Sequence, residues 1–209
     1  ASLIQNYSNY LIQNNLYSSE RFEYDLIDFK EEFITYKNIQ AKHIIFAEGF
    51  GLHSNPFFNN LPLDGTKGEL LVIKAPNLDL KVVVKSNIFI LPLGNDLYKV
   101  GATYDWKDKT NNPTEDGKKE IVDNLKELIS CDFEIIKHFA GVRPTVKDRR
   151  PLVGQHHIYK NLYVLNGLGT RGVMLGPYLA TQLFNNIIKN ISLENEINVN
   201  RIYKKFNLI

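Results

Sequence analysis

The pattern of apolar and polar residues predicts helices near both ends of the chain and strands between them. Leu3, Tyr7 and Leu11 recur at helical spacing and predict an amphipathic helix at the start. The apolar run at 44–47 ends in a glycine turn, which is typical of a buried, parallel strand. A second helical stripe covers 179–188. The chain therefore combines both kinds of secondary structure.

The middle of the chain carries β-type runs that turn residues interrupt at close spacing. The runs cover 69–74, 80–85, 88–91 and 97–102, and Pro76-Asn77 and Gly94-Asn95 break them. Turn signals this close together predict an antiparallel meander. Alternation at 22–26 predicts a further half-exposed strand, which we expect to pair with 32–37.

After the meander, Thr114 is the predicted N-cap of a helix with acidic residues in its first turn. We predict a mixed α/β fold of the α+β type, with an antiparallel β-meander lobe at 68–140. The lobe is inserted between two segments of an incomplete α/β domain, 1–67 and 141–209. A ligand is expected where the lobe and the α/β domain meet.

Composition narrows the class of protein. The chain has 209 residues, is 44% hydrophobic and carries a net charge of +2 with scattered lysines, so its electrostatics do not imply a nucleic-acid partner. No apolar run approaches the roughly 20 residues that a membrane-spanning helix needs. The single Cys131 cannot form an internal disulfide, which suits a cytoplasmic protein.

A glycine-rich turn at 167–176 joins an apolar strand to an amphipathic helix. Such a turn presents backbone N–H groups, and the helix dipole adds partial positive charge, so an anion or a cofactor can bind there. Gly167, Gly169 and Gly172 also match the G-x-G-x-x-G dinucleotide fingerprint. Three interpretations stay open: a dinucleotide site, a structural turn without ligand, and a cofactor-facing helix start.

Arg143 lies between Gly141 and Pro144, where the backbone is constrained and the side chain is held in one direction. A fixed guanidinium offers two parallel donors that match a carboxylate. Spacing alone permits either a substrate anchor or a structural ion pair with Asp148. We predict no metal site, because His156-His157 lacks supporting ligands and is expected in a surface loop.

Five separated segments together resemble the D-amino-acid oxidase and glycine oxidase family of FAD-dependent oxidoreductases. They are KHIIFAEG at 42–49, LPL at 61–63 with KGE at 67–69, VGAT at 100–103, AGVRP at 140–144, and the turn at 167–177. The resemblance covers nearly the whole chain but only the C-terminal half to two-thirds of such a protein. It implies a missing N-terminal FAD-binding segment on the order of 100 to 150 residues.

The resemblance also implies roles for individual residues. Ala47 and Gly49 would pass close to the FAD, and Arg143 would hold the substrate carboxylate with no catalytic acid or base required. Phe89 stands where relatives commonly have a tyrosine, and Tyr104 is a further candidate for the substrate pocket. Gly167 would also lie at the cofactor. After it, the backbone amides that would face the flavin C2 carbonyl are those of Gly169, Thr170, Arg171, Gly172 and Val173.

We therefore expect a fragment of an FAD-dependent oxidoreductase, inactive alone, whose full protein oxidises an amine or amino acid, such as glycine or a D-amino acid, by hydride transfer. The expected partners are a small-molecule substrate and the missing segment, with neither membrane nor nucleic acid. A non-catalytic carboxylate-binding module, an NAD-binding protein and a flavin domain acting on a modified tRNA base remain as alternatives. Leu168 and Arg171 depart from the family's usual residues, so the substrate stays undefined.

Overall fold

The computed structural model describes residues 2–205, which form two compact units, 2–42 and 43–205. The first unit contains α1 (Ser2–Gln13) and a three-stranded antiparallel sheet, β1 (Ile27–Phe29), β2 (Ile34–Tyr36) and β3 (Ile39–Ala41). The predicted first helix is confirmed. The strand predicted at 22–26 is wrong, since residues 24–26 form a 3-10 turn. Its alternating aromatics reflect ring packing, with Phe22 stacked on Tyr36 at 4.3 Å.

The second unit holds two sheets and three α-helices. In chain order its elements are β4 (Ile44–Phe46), β5 (Thr66–Lys74), β6 (Val84–Lys85), β7 (Phe89–Gly94), β8 (Leu97–Gly101), α2 (Glu115–Lys126), β9 (Glu134–Arg143), β10 (Leu152–Gln155), β11 (Leu162–Asn166), α3 (Gly172–Lys189) and α4 (Asn200–Lys205). Short 3-10 helices at Gly49–Ser54 and Gly169–Arg171 follow β4 and β11. The mixed α/β class predicted from the sequence is confirmed.

The smaller sheet has the order β10-β11-β4, and β4 runs parallel to β11. The predicted parallel strand is therefore correct, although Ile45 is 49% exposed and the strand is only partly buried. Leu179 and Leu183 of α3 pack against this sheet on Val153 and Tyr163. The helix predicted at 179–188 is confirmed, and its opposite face, which includes Phe184 and Ile188, is exposed.

The larger sheet is antiparallel, with the order β6-β7-β8-β5-β9. The meander is confirmed for β6, β7 and β8, but the run at 80–85 forms a strand only at its last two residues. Helix α2 covers one face of this sheet, where Leu71, Ile73, Ile121 and Leu125 are fully buried.

Strand β5 places different residues on the two faces of the larger sheet. Alternate side chains of a strand point to opposite faces, so Lys67 and Glu69 share the α2 face with Leu71. Gly68 and Leu70 belong to the other face. In the antiparallel register Arg143 is the partner of Thr66, and it therefore lies on the Gly68 face.

The N-cap of α2 is Thr114, as predicted, and it also ties the helix to the sheet. Its Oγ1 accepts from the Gly117 amide at 3.0 Å and donates to Oε1 of Glu69 at 2.8 Å. Thr114→Ala removes both bonds and is expected to lower the free energy of unfolding by about 1–2 kcal/mol.

Urea unfolding of Thr114→Ala and Thr114→Ser measures this cost, because serine keeps the hydroxyl. Thr181→Ala is the matched control, since its exposed hydroxyl bonds only to the Pro177 carbonyl in its own helix. Equal stability of the alanine variants at both positions would contradict the double role of Thr114.

Candidate functional site

A cleft of about 630 Å³ in the second unit joins the end of β9 to the glycine-rich turn after β11. Arg143 and the turn, which the sequence singled out separately, line the same cleft. None of its lining residues is acidic. They are Thr66, Tyr104, Trp106, Arg143, Thr145, Val146, Arg149, Pro151, Gly167, Leu168, Gly169, Thr170, Arg171 and Leu175.

The guanidinium of Arg143 is held by backbone carbonyls. Its Nη1 donates to the carbonyl oxygens of Lys67 and Thr103 at 3.2 and 3.3 Å, and Nη2 donates to Thr103 at 3.4 Å. The guanidinium carbon lies 4.5 Å from the centre of the Tyr104 ring, which is cation–π distance. Tyr104 and Arg143 are therefore neighbours in the cleft.

The alternative of an Arg143–Asp148 ion pair is wrong. Asp148 pairs with Arg201, with 3.2 Å between Oδ2 and Nε. Within residues 2–205, no carboxylate lies within ion-pair distance of the Arg143 guanidinium. Partial burial without an acidic partner lowers the pKa of this guanidinium, since the charged form loses hydration. The cleft thus contains a fixed positive charge with no counter-ion among residues 2–205.

The glycine-rich turn is joined to the loop after β4 through Asn166, which is buried at the end of β11. Its Nδ2 donates to the Gly49 carbonyl at 2.9 Å, and its Oδ1 accepts from the Gly167 amide at 2.8 Å. Gly167 has a φ of +74°, and a Cβ there would overlap Val146. Parallel pairing of β4 and β11 brings these two predicted cofactor segments to one edge of the sheet.

The start of α3 has no capping side chain, so its first amides are not satisfied by the usual hydrogen bond from an N-cap residue. Gly172 and Val173 stand at this start, and Val173 is 80% exposed. Ala47, at the end of β4, is exposed as well. Phe89 lies on the same sheet face as Leu70 but outside the residues that line the cleft.

Behind Arg143, on the α2 face of β5, lies a buried ionic cluster that the sequence interpretation missed. Lys67 and Glu69 have side chains only 1% and 4% exposed, with 3.4 Å between Nζ and Oε1. Lys67 also binds Asp108 Oδ2 and the Asn112 carbonyl. Glu69 accepts from the Thr114 amide at 2.9 Å, and its Oε2 lies 2.8 Å from Nε2 of His138.

These contacts keep the buried groups of the cluster charged. Burial raises the pKa of Glu69, but hydrogen bonds from Thr114 and the charge of Lys67 outweigh it, and the net shift is downward. Burial likewise opposes the charge on Lys67, yet Asp108 and Glu69 raise its pKa overall. The hydrogen bond from Lys67 lowers the pKa of Asp108 to about 2. The sequence did contain a signal for this cluster, because Lys67 and Glu69 stand at alternate positions in line with the buried Leu71 and Ile73.

His156 is buried rather than exposed in a surface loop, which corrects the sequence interpretation. Its Nε2 lies 2.9 Å from the Phe57 carbonyl, and its Nδ1 accepts from the amides of Ile158 and Tyr159. Burial lowers the pKa of this imidazole. Because backbone groups occupy both ring nitrogens, His156 has a structural role.

Residues 2–205 contain neither a metal-binding cluster nor a membrane-spanning helix. No group of three or more His, Cys, Asp or Glu side chains is arranged to hold a metal ion. No helix in this part of the chain is both long and apolar enough to cross a membrane.

Residues 26–184 match the family model described as FAD dependent oxidoreductase. The chain belongs to this family. Glycine oxidase of Bacillus subtilis is 24% identical over 168 residues, which span 77% of this chain and 44% of that protein. The "tRNA 5-methylaminomethyl-2-thiouridine biosynthesis bifunctional protein MnmC" of Campylobacter jejuni subsp. doylei is 29% identical over 68% of this chain and 25% of its own length.

Solved structures show the same fold. Iminodiacetate oxidase from Chelativorans sp. BNC1 superposes with a TM-score of 0.68 at 20% identity, covering 82% of this chain and 51% of that one. Glycine oxidase from Bacillus cereus gives 0.63 at 20% identity, with coverages of 79% and 48%. The chain thus spans about half the length of these structures, or less in the case of the sequence relatives.

FAD is the cofactor of this family, and the cleft fits a flavin ring. The start of α3 offers a positive dipole end to an oxygen that carries partial negative charge. Two of the predicted donors are already occupied, because the amides of Gly169 and Arg171 donate to the carbonyls of Pro144 and Leu168. Asn166 ties that start to the loop at Gly49, so both segments predicted to approach the cofactor lie at one edge. Residues 2–205 contain no second glycine-rich strand-turn-helix that could bind the adenine half of FAD.

Gly68 is required where it stands, because a Cβ would overlap the Arg143 guanidinium. Gly68→Ala is expected to push the guanidinium off its carbonyl acceptors and to lower the free energy of unfolding by about 1 kcal/mol. The same substitution should cost nothing when Arg143 is already alanine, which a double-mutant cycle followed by urea unfolding measures.

Gly141→Ala is the matched control for Gly68→Ala. Gly141 is the direct partner of Gly68 across the sheet, and a Cβ there meets no atom within 4 Å. A cost of Gly68→Ala that persists in the Arg143→Ala background would contradict the contact.

Proposed function

We propose that this chain forms the substrate side and part of the flavin-ring side of an enzyme that oxidises a carboxylate-bearing amine or amino acid. The observation that carries the proposal is the position of Arg143. It is a fixed guanidinium that has no acidic partner in the described part of the chain, and it lies in one cleft with the turn before α3. A planar fork of N–H donors matches a carboxylate in a bidentate way.

In this proposal the chain contributes positioning and electrostatics. Arg143 binds the substrate carboxylate and thereby fixes the direction of the neighbouring carbon and amine. Bound FAD supplies the chemistry by accepting a hydride from that carbon. The positive end of α3 would stabilise negative charge on the bound cofactor. No Asp, Glu, His, Lys or Cys lines the cleft, so no side-chain acid or base is assigned.

The names of two related enzymes support this substrate class. Glycine oxidase and iminodiacetate oxidase are named for an amino acid and for an amine that carries carboxylates. This chain spans only about half of those proteins. The activity is therefore proposed for the full-length protein, with this chain as its substrate lobe.

Arg143→Lys in the full-length protein keeps the charge but loses the planar fork. We expect its dissociation constant for acetate, followed through the visible absorption of the flavin, to rise at least tenfold over wild type. The flavin spectrum without ligand should stay unchanged. Arg150→Ala is the control, because that exposed arginine pairs with Glu196 and does not line the cleft.

The outcomes separate the proposal from its alternatives. Unchanged acetate binding and turnover in Arg143→Lys would remove the assigned role of this residue. A full-length protein that binds carboxylates but no flavin would favour the non-catalytic binding module.

A flavin domain acting on a modified tRNA base is the second candidate. Tyr104 and Trp106 line the cleft and are 61% and 50% exposed, so they could stack on a base. Arg149 and Arg171 line the same cleft, and no carboxylate within residues 2–205 pairs with either. The relative named for tRNA modification agrees with this reading.

Trp106→Ala distinguishes the two candidates. If the substrate is a tRNA base, the variant should lose tRNA affinity by about tenfold or more while its affinity for acetate is kept. Fluorescence anisotropy with labelled tRNA at two salt concentrations measures the binding. Absence of tRNA binding by wild-type protein at low salt would remove this candidate.

A further inference from the structure

The buried charges behind β5 take no part in the cleft itself. We infer that Lys67 and Glu69 are positioning residues for Arg143: they fix, from the opposite face of the strand, the backbone that orients its guanidinium. This inference rests on the proposed function, because it concerns the binding of the substrate carboxylate. Neither side chain lines the cleft.

The guanidinium takes its position from the backbone of β5. It lies directly over Gly68, so closely that a Cβ on this residue would overlap it. One of its acceptors is the carbonyl of the preceding residue, Lys67, at 3.2 Å. Any shift of the strand at 67–69 therefore moves the guanidinium relative to the cleft.

The second acceptor segment depends on the same strand. Thr103 supplies the other carbonyl to Arg143, and its Oγ1 accepts from the Glu69 amide at 2.9 Å. The Thr103 amide in turn donates to the Glu69 carbonyl at 3.3 Å. One of the two carbonyls that hold Arg143 thus belongs to Lys67. The other belongs to Thr103, which is hydrogen-bonded to the backbone of Glu69.

The side chains of Lys67 and Glu69 anchor this backbone on the α2 face. Nζ of Lys67 binds Asp108 and the Asn112 carbonyl, which belong to the segment before α2. Glu69 binds both the amide and the hydroxyl of Thr114 at the start of that helix. Buried ion pairs contribute little net stability but hold a specific geometry, because shifting either partner leaves a buried charge unpaired.

Glu69→Gln in the full-length flavoprotein tests the inference. It removes one charge and turns one acceptor into a donor while keeping the size of the side chain. We expect the dissociation constant for acetate to rise about tenfold, whereas that for acetamide, which lacks the charge, and the spectrum of the free flavin stay unchanged. Thr103→Val, which removes the hydroxyl bond to Glu69, should act in the same direction, and Thr103→Ser should restore binding.

Two controls exclude a simple loss of stability or charge. Glu115→Gln removes a carboxylate from the first turn of the same helix, where its exposed side chain pairs with Lys118. Ile121→Val loosens the contact of α2 with the sheet by a methyl group without touching the cluster. Both should keep the ratio of acetate to acetamide affinity.

Each outcome decides a different statement. If Arg143→Lys weakens acetate binding but Glu69→Gln and Thr103→Val do not, the positioning role is wrong and the proposed function stands. If Ile121→Val changes the affinity ratio as strongly as Glu69→Gln, the cluster acts only through stability and the inference fails. If wild-type protein shows no acetate response, the proposed function fails first.

Discussion

The central constraint on this structure is a half-buried positive charge, the Arg143 guanidinium, for which residues 2–205 supply no negative partner. Taking a guanidinium out of water is unfavourable unless hydrogen bonds and charges replace the lost hydration. At Arg143 three bonds to carbonyl oxygens and the face of Tyr104 replace part of it. The lowered pKa reflects the part that is not replaced. An anion in the cleft would supply it, and for that reason the geometry favours a carboxylate ligand.

Strand β5 must leave room for the Arg143 guanidinium at Gly68 and must also stay rigid at that residue. The Gly68 face must leave room for the guanidinium, so it carries no side chain there. A glycine within a strand makes it less rigid and contributes no side chain to the packing on that face. The opposite face compensates, because Lys67 and Glu69 connect it to the segment before α2 and to the helix N-cap. The guanidinium in front of the strand is thus combined with a dense network behind it.

Local patterns were sufficient for several features of the fold. The parallel strand at β4, the cap at Thr114 and the turn before α3 each follow from a few neighbouring residues. The partner of Asp148 did not, because Arg201 is 53 residues away and the nearer Arg143 was equally plausible by spacing. The cleft shared by Arg143 and the glycine turn likewise depends on where β9 and β11 end in space. Lys67 and Glu69 were visible in sequence, but their burial required knowledge of which face α2 covers.

The sheet register shows why so much depends on a single arginine. Phe89 pairs with Gly101, and Gly101 pairs with Leu70, so Phe89 and Leu70 lie on the face that carries Arg143. This row offers apolar side chains where related sequences are expected to have a tyrosine hydroxyl. A carboxylate bound over this face would find no side-chain donor in this row and would depend on Arg143, with Arg149 and Arg171 as the other cations that line the cleft. Because this row supplies no second side-chain donor, the orientation of the bound carboxylate depends on the orientation of the Arg143 guanidinium. That orientation is set by the carbonyls that bind the guanidinium, and therefore by the residues that hold β5 in place.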